Sequence, residues 1–99
     1  MSLLVEYSLM EGKSGAQIKA LKTLISGLKS MGDAGFDYTA FETDDPTKFI
    51  ALLEFDSDEA KQRFLNSAAF AEYRDGAKER FTGPPSTTSL KLVDTTRRN

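Results

Sequence analysis

The stretch FIALLEF, Phe49 to Phe55, decides the fold. Phe49, Ala51, Leu53 and Phe55 fall on one side of a period-2 pattern and Ile50 and Leu52 on the other, so the segment reads as a strand whose two faces both want to leave water. Before it, the residues from Gly35 to Thr43 alternate Phe36, Tyr38 and Ala40 against Asp37, Thr39 and Phe41. An Asp44-Asp45-Pro46 turn signal joins the two, which predicts a hairpin. Closer to the amino terminus, Leu3, Val5, Tyr7 and Leu9 alternate with Glu6 and Ser8 in a first strand, and Leu4 makes its second side partly apolar.

Between the first strand and the hairpin, a helix is predicted from Ser14 to about Met31. Ser14 stands three residues before Gln17 in the pattern of a capping box, which satisfies backbone donors at a helix start. Ile18, Leu21, Leu24, Ile25, Leu28 and Met31 form its apolar stripe, Lys19, Lys22, Ser26 and Lys29 face water, and Gly32 supplies the stop. Beyond the hairpin, Asp56 or Ser57 caps a short helix over Ala60, Phe64 and Leu65. Asn66 or Ser67 opens another through Phe70, Tyr73, Ala77 and Phe81, halted by Gly83-Pro84-Pro85. Thr88 to Asp94, with Leu90, Leu92 and Val93, reads as the last strand, and Thr95 to Asn99 as a frayed end.

The order β, α, β, β, α, β is that of an α+β, ferredoxin-like domain over residues 1–99, a four-stranded antiparallel sheet with helices on one face. The second face then carries either Ile50 and Leu52 or Phe49 and Leu53, depending on register, and a second copy packed sheet against sheet would cover that row. Burying about 600 Å² of apolar surface per protomer stabilises such a pair by on the order of 15 kcal/mol before the costs of association, so a homodimer is expected. A chain of 99 residues is also too short to enclose a deep chamber alone, so a partner subunit would complete one.

Composition narrows the chemistry. The chain has no His, Cys or Trp, which removes imidazole bases, thiolate nucleophiles, disulfides and nearly all transition-metal ligation; no cofactor and no metal is expected. A net charge of -2 without a basic block argues against nucleic acid as a partner. No apolar run approaches the roughly 20 residues of a membrane span, and MSLLVEYSLMEG lacks the features of a signal peptide, so a cytoplasmic protein with no membrane partner is expected. Gly12-Lys13-Ser14 is not a phosphate loop, because that spacing needs glycine where Tyr7 stands. Asp44 and Asp45, and Asp56, Asp58 and Glu59, lack calcium-loop spacing and serve turns and caps.

The segment FIALLEFDSDEA continuing as KQRFLNSAAF, Phe49 to Phe70, resembles the antibiotic-biosynthesis-monooxygenase group of dimeric α+β barrel proteins. The resemblance implies a homodimer with an apolar pocket between the sheet and the two late helices. It also implies oxidation of phenolic or quinol-like aromatics by molecular oxygen without metal or flavin. Phe55 stands where that group often has Trp, and Phe64 and Ala69 stand where it has His. These replacements support the alternative of a non-catalytic small-molecule-binding or assembly module of the same fold, and isomerases or lyases also occur on it.

Candidate site residues follow from that pocket. Tyr7 and Tyr38 can hydrogen-bond a phenol or quinone oxygen, or serve as core residues with satisfied hydroxyls. Asn66, at the break between the late helices, orients a substrate carbonyl or caps a helix. Arg74 offsets charge on a bound phenolate, or belongs to a solvated face with Glu72, Asp75 and Lys78. Arg74, Tyr38 and Asn66 are thus the catalytic candidates, with Tyr7, Tyr73, Phe55, Phe64 and Phe70 contacting a small aromatic ligand. Glu54 is a base if buried, or a surface residue at a strand end.

Overall fold

Register settles which side of the Phe49–Phe55 strand meets the helices. In the computed structural model, which describes residues 1–97, the elements run β1 (Ser2–Ser8), α1 (Ser14–Lys29), β2 (Phe36–Glu42), β3 (Lys48–Phe55), α2 (Asp58–Leu65), α3 (Ala68–Asp75) and β4 (Ser86–Leu90). The strands form one antiparallel sheet in the order β2-β3-β1-β4, the ferredoxin-like α+β arrangement. Val5 lies opposite Ala51, and Ala51 opposite Ala40, so odd positions of β1 and β3 share a face with even positions of β2. Val5, Tyr7, Phe49, Ala51, Leu53 and Phe55 are buried there beneath Leu21, Leu24 and Leu28 of α1 and Phe64 of α2. Ile50 and Leu52 therefore belong to the uncovered face, where Leu52 pairs with Leu4 and Thr39, and Ile50 with Glu6 and Phe41.

Local chemistry accounts for most boundaries. The β2–β3 turn is held by Asp45, whose Oδ1 accepts from the Thr47 amide at 2.9 Å and its hydroxyl at 2.7 Å. Those bonds favour the ionised carboxyl and hold it below its ordinary range. Ser57 caps α2 through Ala60 N–H and Ser67 caps α3 through Phe70 N–H, so the cap between the late helices is Ser67 and not Asn66. At Gly27 of α1 a Cβ would stand 2.7 Å from the Ala69 Cβ, so the missing side chain is what lets α1 and α3 meet.

Several expectations need correction. Ser14 and Gln17 make no capping box: Lys13 occupies the N-cap position without a side-chain bond, and Gln17 is wholly buried in tertiary contacts. Helix α1 stops at Lys29, where the Ser30 hydroxyl bonds the Gly27 carbonyl, and Gly32 follows with φ 72°. The last helix does not run to Phe81. It ends at Asp75, a single 3-10 turn spans Ala77–Glu79, and Phe81 bridges to Leu9 beside β1. The closing strand ends at Leu90 and not Asp94, because Leu90 pairs with Ser2 and β1 offers nothing beyond it. Leu92 and Val93 are left 77% and 98% exposed. Of the frayed end, Arg98 and Asn99 lie outside the described residues. No helix among the described residues is long and apolar enough to cross a membrane.

Candidate functional site

The helix-covered side of the sheet is aromatic along most of its length. At one end Phe64 of α2 packs on Phe36, Tyr38, Phe55 and Phe70, with ring centroids 5.6, 5.9, 5.9 and 4.6 Å away. Toward the other end Tyr7 stacks on Phe81 at 5.0 Å and meets Tyr73 edge-on at 6.4 Å. Alternation puts Tyr7 of β1 and Tyr38 of β2 on the same face, on the two strands that flank β3, and Tyr73 meets Tyr7 from α3.

Polar atoms inside this layer fall into two hydrogen-bonded groups. The Tyr7 and Tyr38 hydroxyls lie 3.3 Å apart. The Gln17 side-chain amide donates to the Tyr73 hydroxyl at 2.7 Å, while its Oε1 accepts from Arg80 Nε at 2.8 Å. Arg80 Nη2 donates to the Tyr73 carbonyl at 3.1 Å, meeting the negative end of α3, and its guanidinium lies 5.0 Å from the Tyr73 ring centre and 5.4 Å from that of Phe81. Among the described residues no buried side-chain nitrogen or oxygen lacks a partner.

Burial sets the protonation of the phenols. Desolvation pushes Tyr7 and Tyr38 far above the ordinary tyrosine value; charge repulsion from Tyr73 adds to it at Tyr7, where the Tyr38 hydrogen bond pulls the other way, and repulsion from Tyr7 and Tyr73 adds to it at Tyr38. Tyr73 is raised by burial too, against the opposing pull of Gln17 and Arg80. All three are therefore neutral hydroxyls at neutral pH. A neutral hydroxyl buried in an apolar layer is a donor for an oxygen that carries charge, and it does not itself ionise in competition with a more acidic phenol.

The structure brings Tyr7, Tyr38, Tyr73, Phe55, Phe64 and Phe70 together. It does not bring in Asn66, which is exposed after α2, or Arg74, which is exposed with its guanidinium 5.0 Å above the outer ring Phe70. Glu54 lies half-buried on the uncovered face, opposite Ser2 and Asp37, away from the aromatic layer. Sequence reasoning missed Gln17 and Arg80. Their signals were a polar residue at the 17-21-24-28 core spacing of α1 and a glycine, Gly76, breaking the last helix. Open volume bordering the cluster lies between α1 and α3, a cavity of about 280 Å³ whose lining includes Leu24, Ala69, Tyr73 and Arg80.

Solved structures share this architecture over nearly the whole chain. A Bacteroides thetaiotaomicron protein provisionally named antibiotic biosynthesis monooxygenase superposes with a TM-score of 0.85 at 13% identity, covering 100% of this chain and 94% of that one. The fold is shared. A Caulobacter crescentus protein under the same provisional name gives 0.82 at 15% identity, with coverage of 94% and 89%. A Nitrosomonas europaea protein of unknown function gives 0.80 at 18%, with coverage of 99% and 93%. No family model matches the sequence, and no curated protein is significantly similar to it. Likeness at these identities establishes the fold and leaves the chemistry to be argued from the residues.

Proposed function

We propose that the chain is a cytoplasmic, homodimeric, cofactor-independent monooxygenase-like protein of one domain that takes a small phenol, quinol or polyketide-type aromatic. The observation that carries this reading is the pair of buried polar groups set in an otherwise apolar layer: the hydrogen-bonded Arg80, Gln17 and Tyr73, and the Tyr7 and Tyr38 hydroxyls, with the Tyr7 and Tyr73 rings edge-on between them. Reaction of an electron-rich aromatic with oxygen needs its phenolate or enolate form. Neutral tyrosine donors and a buried guanidinium lower the cost of that charge in a water-poor site. For an anthrone, the substrate and O₂ become the anthraquinone and water: one oxygen atom enters the ring and the other leaves with the two hydrogens lost from carbon.

Dimerisation is part of the reading, because Leu4, Ile50, Leu52 and Phe41 stand together on the uncovered face and Phe41 is 49% exposed. The roles proposed for Arg74 and Asn66 pass to Arg80 and Gln17, which are buried beside the phenols. A second reading, a non-catalytic binding or assembly module, is favoured by Phe64, whose ring packs on four others and fills the middle of the layer.

Oxygen uptake with a panel of anthrones and hydroquinones, in air and under anaerobic control, separates the two. The monooxygenase reading predicts oxygen-dependent turnover that Tyr7→Phe with Tyr38→Phe lowers by about 10²-fold or more, the scale for loss of donors to developing charge. Turnover at the background rate leaves the module reading standing.

A further inference from the structure

We propose that the cavity between α1 and α3 is a binding site for a small organic carboxylate, a pocket distinct from the proposed phenol site although Tyr73 and Arg80 border both. The cavity is half open to solvent, holds about 280 Å³, and its lining includes Ala16, Lys19, Ala20, Glu72, Tyr73 and Arg80. Its walls are small and apolar residues of two facing helices, suited to the hydrocarbon part of a compact ligand.

Charge is what selects the ligand. Arg80 is 8% exposed, and among the described residues its guanidinium hydrogen-bonds only neutral oxygens, Gln17 Oε1 and the Tyr73 carbonyl. A largely desolvated cation is costly without an anionic partner, and a guanidinium whose Nη1 makes no hydrogen bond to the described residues can take a carboxylate there. Gly76 makes room for that nitrogen: a Cβ there would stand 2.5 Å from Arg80 Nη1. Lys19 adds a second positive group to the lining and Glu72 a negative one, so the cavity carries a net positive charge in a chain whose total is -2. A compact acid with its carboxylate toward Arg80 and its apolar body against Ala16, Ala20 and Ala69 meets both demands.

The test is calorimetric titration of the intact protein with benzoate and 3-phenylpropionate, against benzamide as the neutral isostere. Saturable binding of a carboxylate, at least about tenfold tighter than the amide, is expected from a charge-assisted contact in a partly desolvated site. Ala16→Leu places bulk in the cavity from an exposed helix position and is expected to abolish binding without loss of helical signal. Arg80→Gln is expected to erase the preference for acid over amide. Equal binding of acid and amide, no binding of either, or carboxylate binding untouched by Ala16→Leu overturns the proposal. Oxygen uptake by Ala16→Leu separates the two sites: unchanged turnover supports a distinct carboxylate site, whereas loss of turnover makes the cavity part of the phenol site and overturns the separation.

Discussion

The two faces of one sheet are built from the same strands and meet opposite fates. On the covered face Phe49, Ala51 and Leu53 are 3%, 0% and 6% exposed beneath three helices, and among the described residues no buried side-chain nitrogen or oxygen lacks a partner. On the other face Leu4, Ile50 and Leu52 are only half-buried, with Phe41 and Leu90 more open still. The difference teaches that β3 is apolar on both sides while the helices of one chain cover only one of them. Substitutions on the covered side should cost folding stability, and substitutions on the uncovered side should cost association.

The largest effect is expected at Phe64. Phe64→Ala removes the ring on which the apolar end of the layer packs, and chemical denaturation should show a loss of about 3–5 kcal/mol. Gln17→Leu comes next, at about 2–3 kcal/mol, because it strips a partner from the Tyr73 hydroxyl and from the buried Arg80. Gly27→Ala drives a methyl into Ala69 of α3, and after the gain in helix propensity a net loss of about 1–2 kcal/mol is expected in the same assay. The smallest effect is alkaline. The unfolded chain releases tyrosine protons near the ordinary value of 10.0, whereas Tyr7 and Tyr38 hold theirs when folded. Stability from these groups is therefore complete below about pH 10 and falls above it by about 1.4 kcal/mol per pH unit for each tyrosine. Tyr7→Phe should make that decline shallower in denaturation curves taken from pH 8 to 11.

The covered side of β1 was legible in the sequence because periodicity is local: Val5 and Tyr7 alternate with Glu6 and Ser8 within a few residues of chain. Which parity of β3 faced the helices was not legible, since both rows are apolar and only register with β1 and β2 decides. The polar group around Gln17 escaped for a related reason. Gln17 sits three residues after a serine and so reads as a cap partner, while its actual partners lie 56 and 63 residues away. Arg74 and Arg80 look interchangeable along a continuous helix, and the break at Gly76 turns only the second one inward. The end of β4 was misread because Leu92 and Val93 are good strand residues with no remaining length of β1 to pair with.

Sedimentation equilibrium of the wild-type chain beside Leu52→Lys tests the claim about the uncovered face most directly. The wild type should sediment at twice the 10.9 kDa chain mass, and Leu52→Lys at the single mass with its circular dichroism unchanged. A wild-type chain that stays at the single mass at high concentration, soluble and folded, would contradict the account.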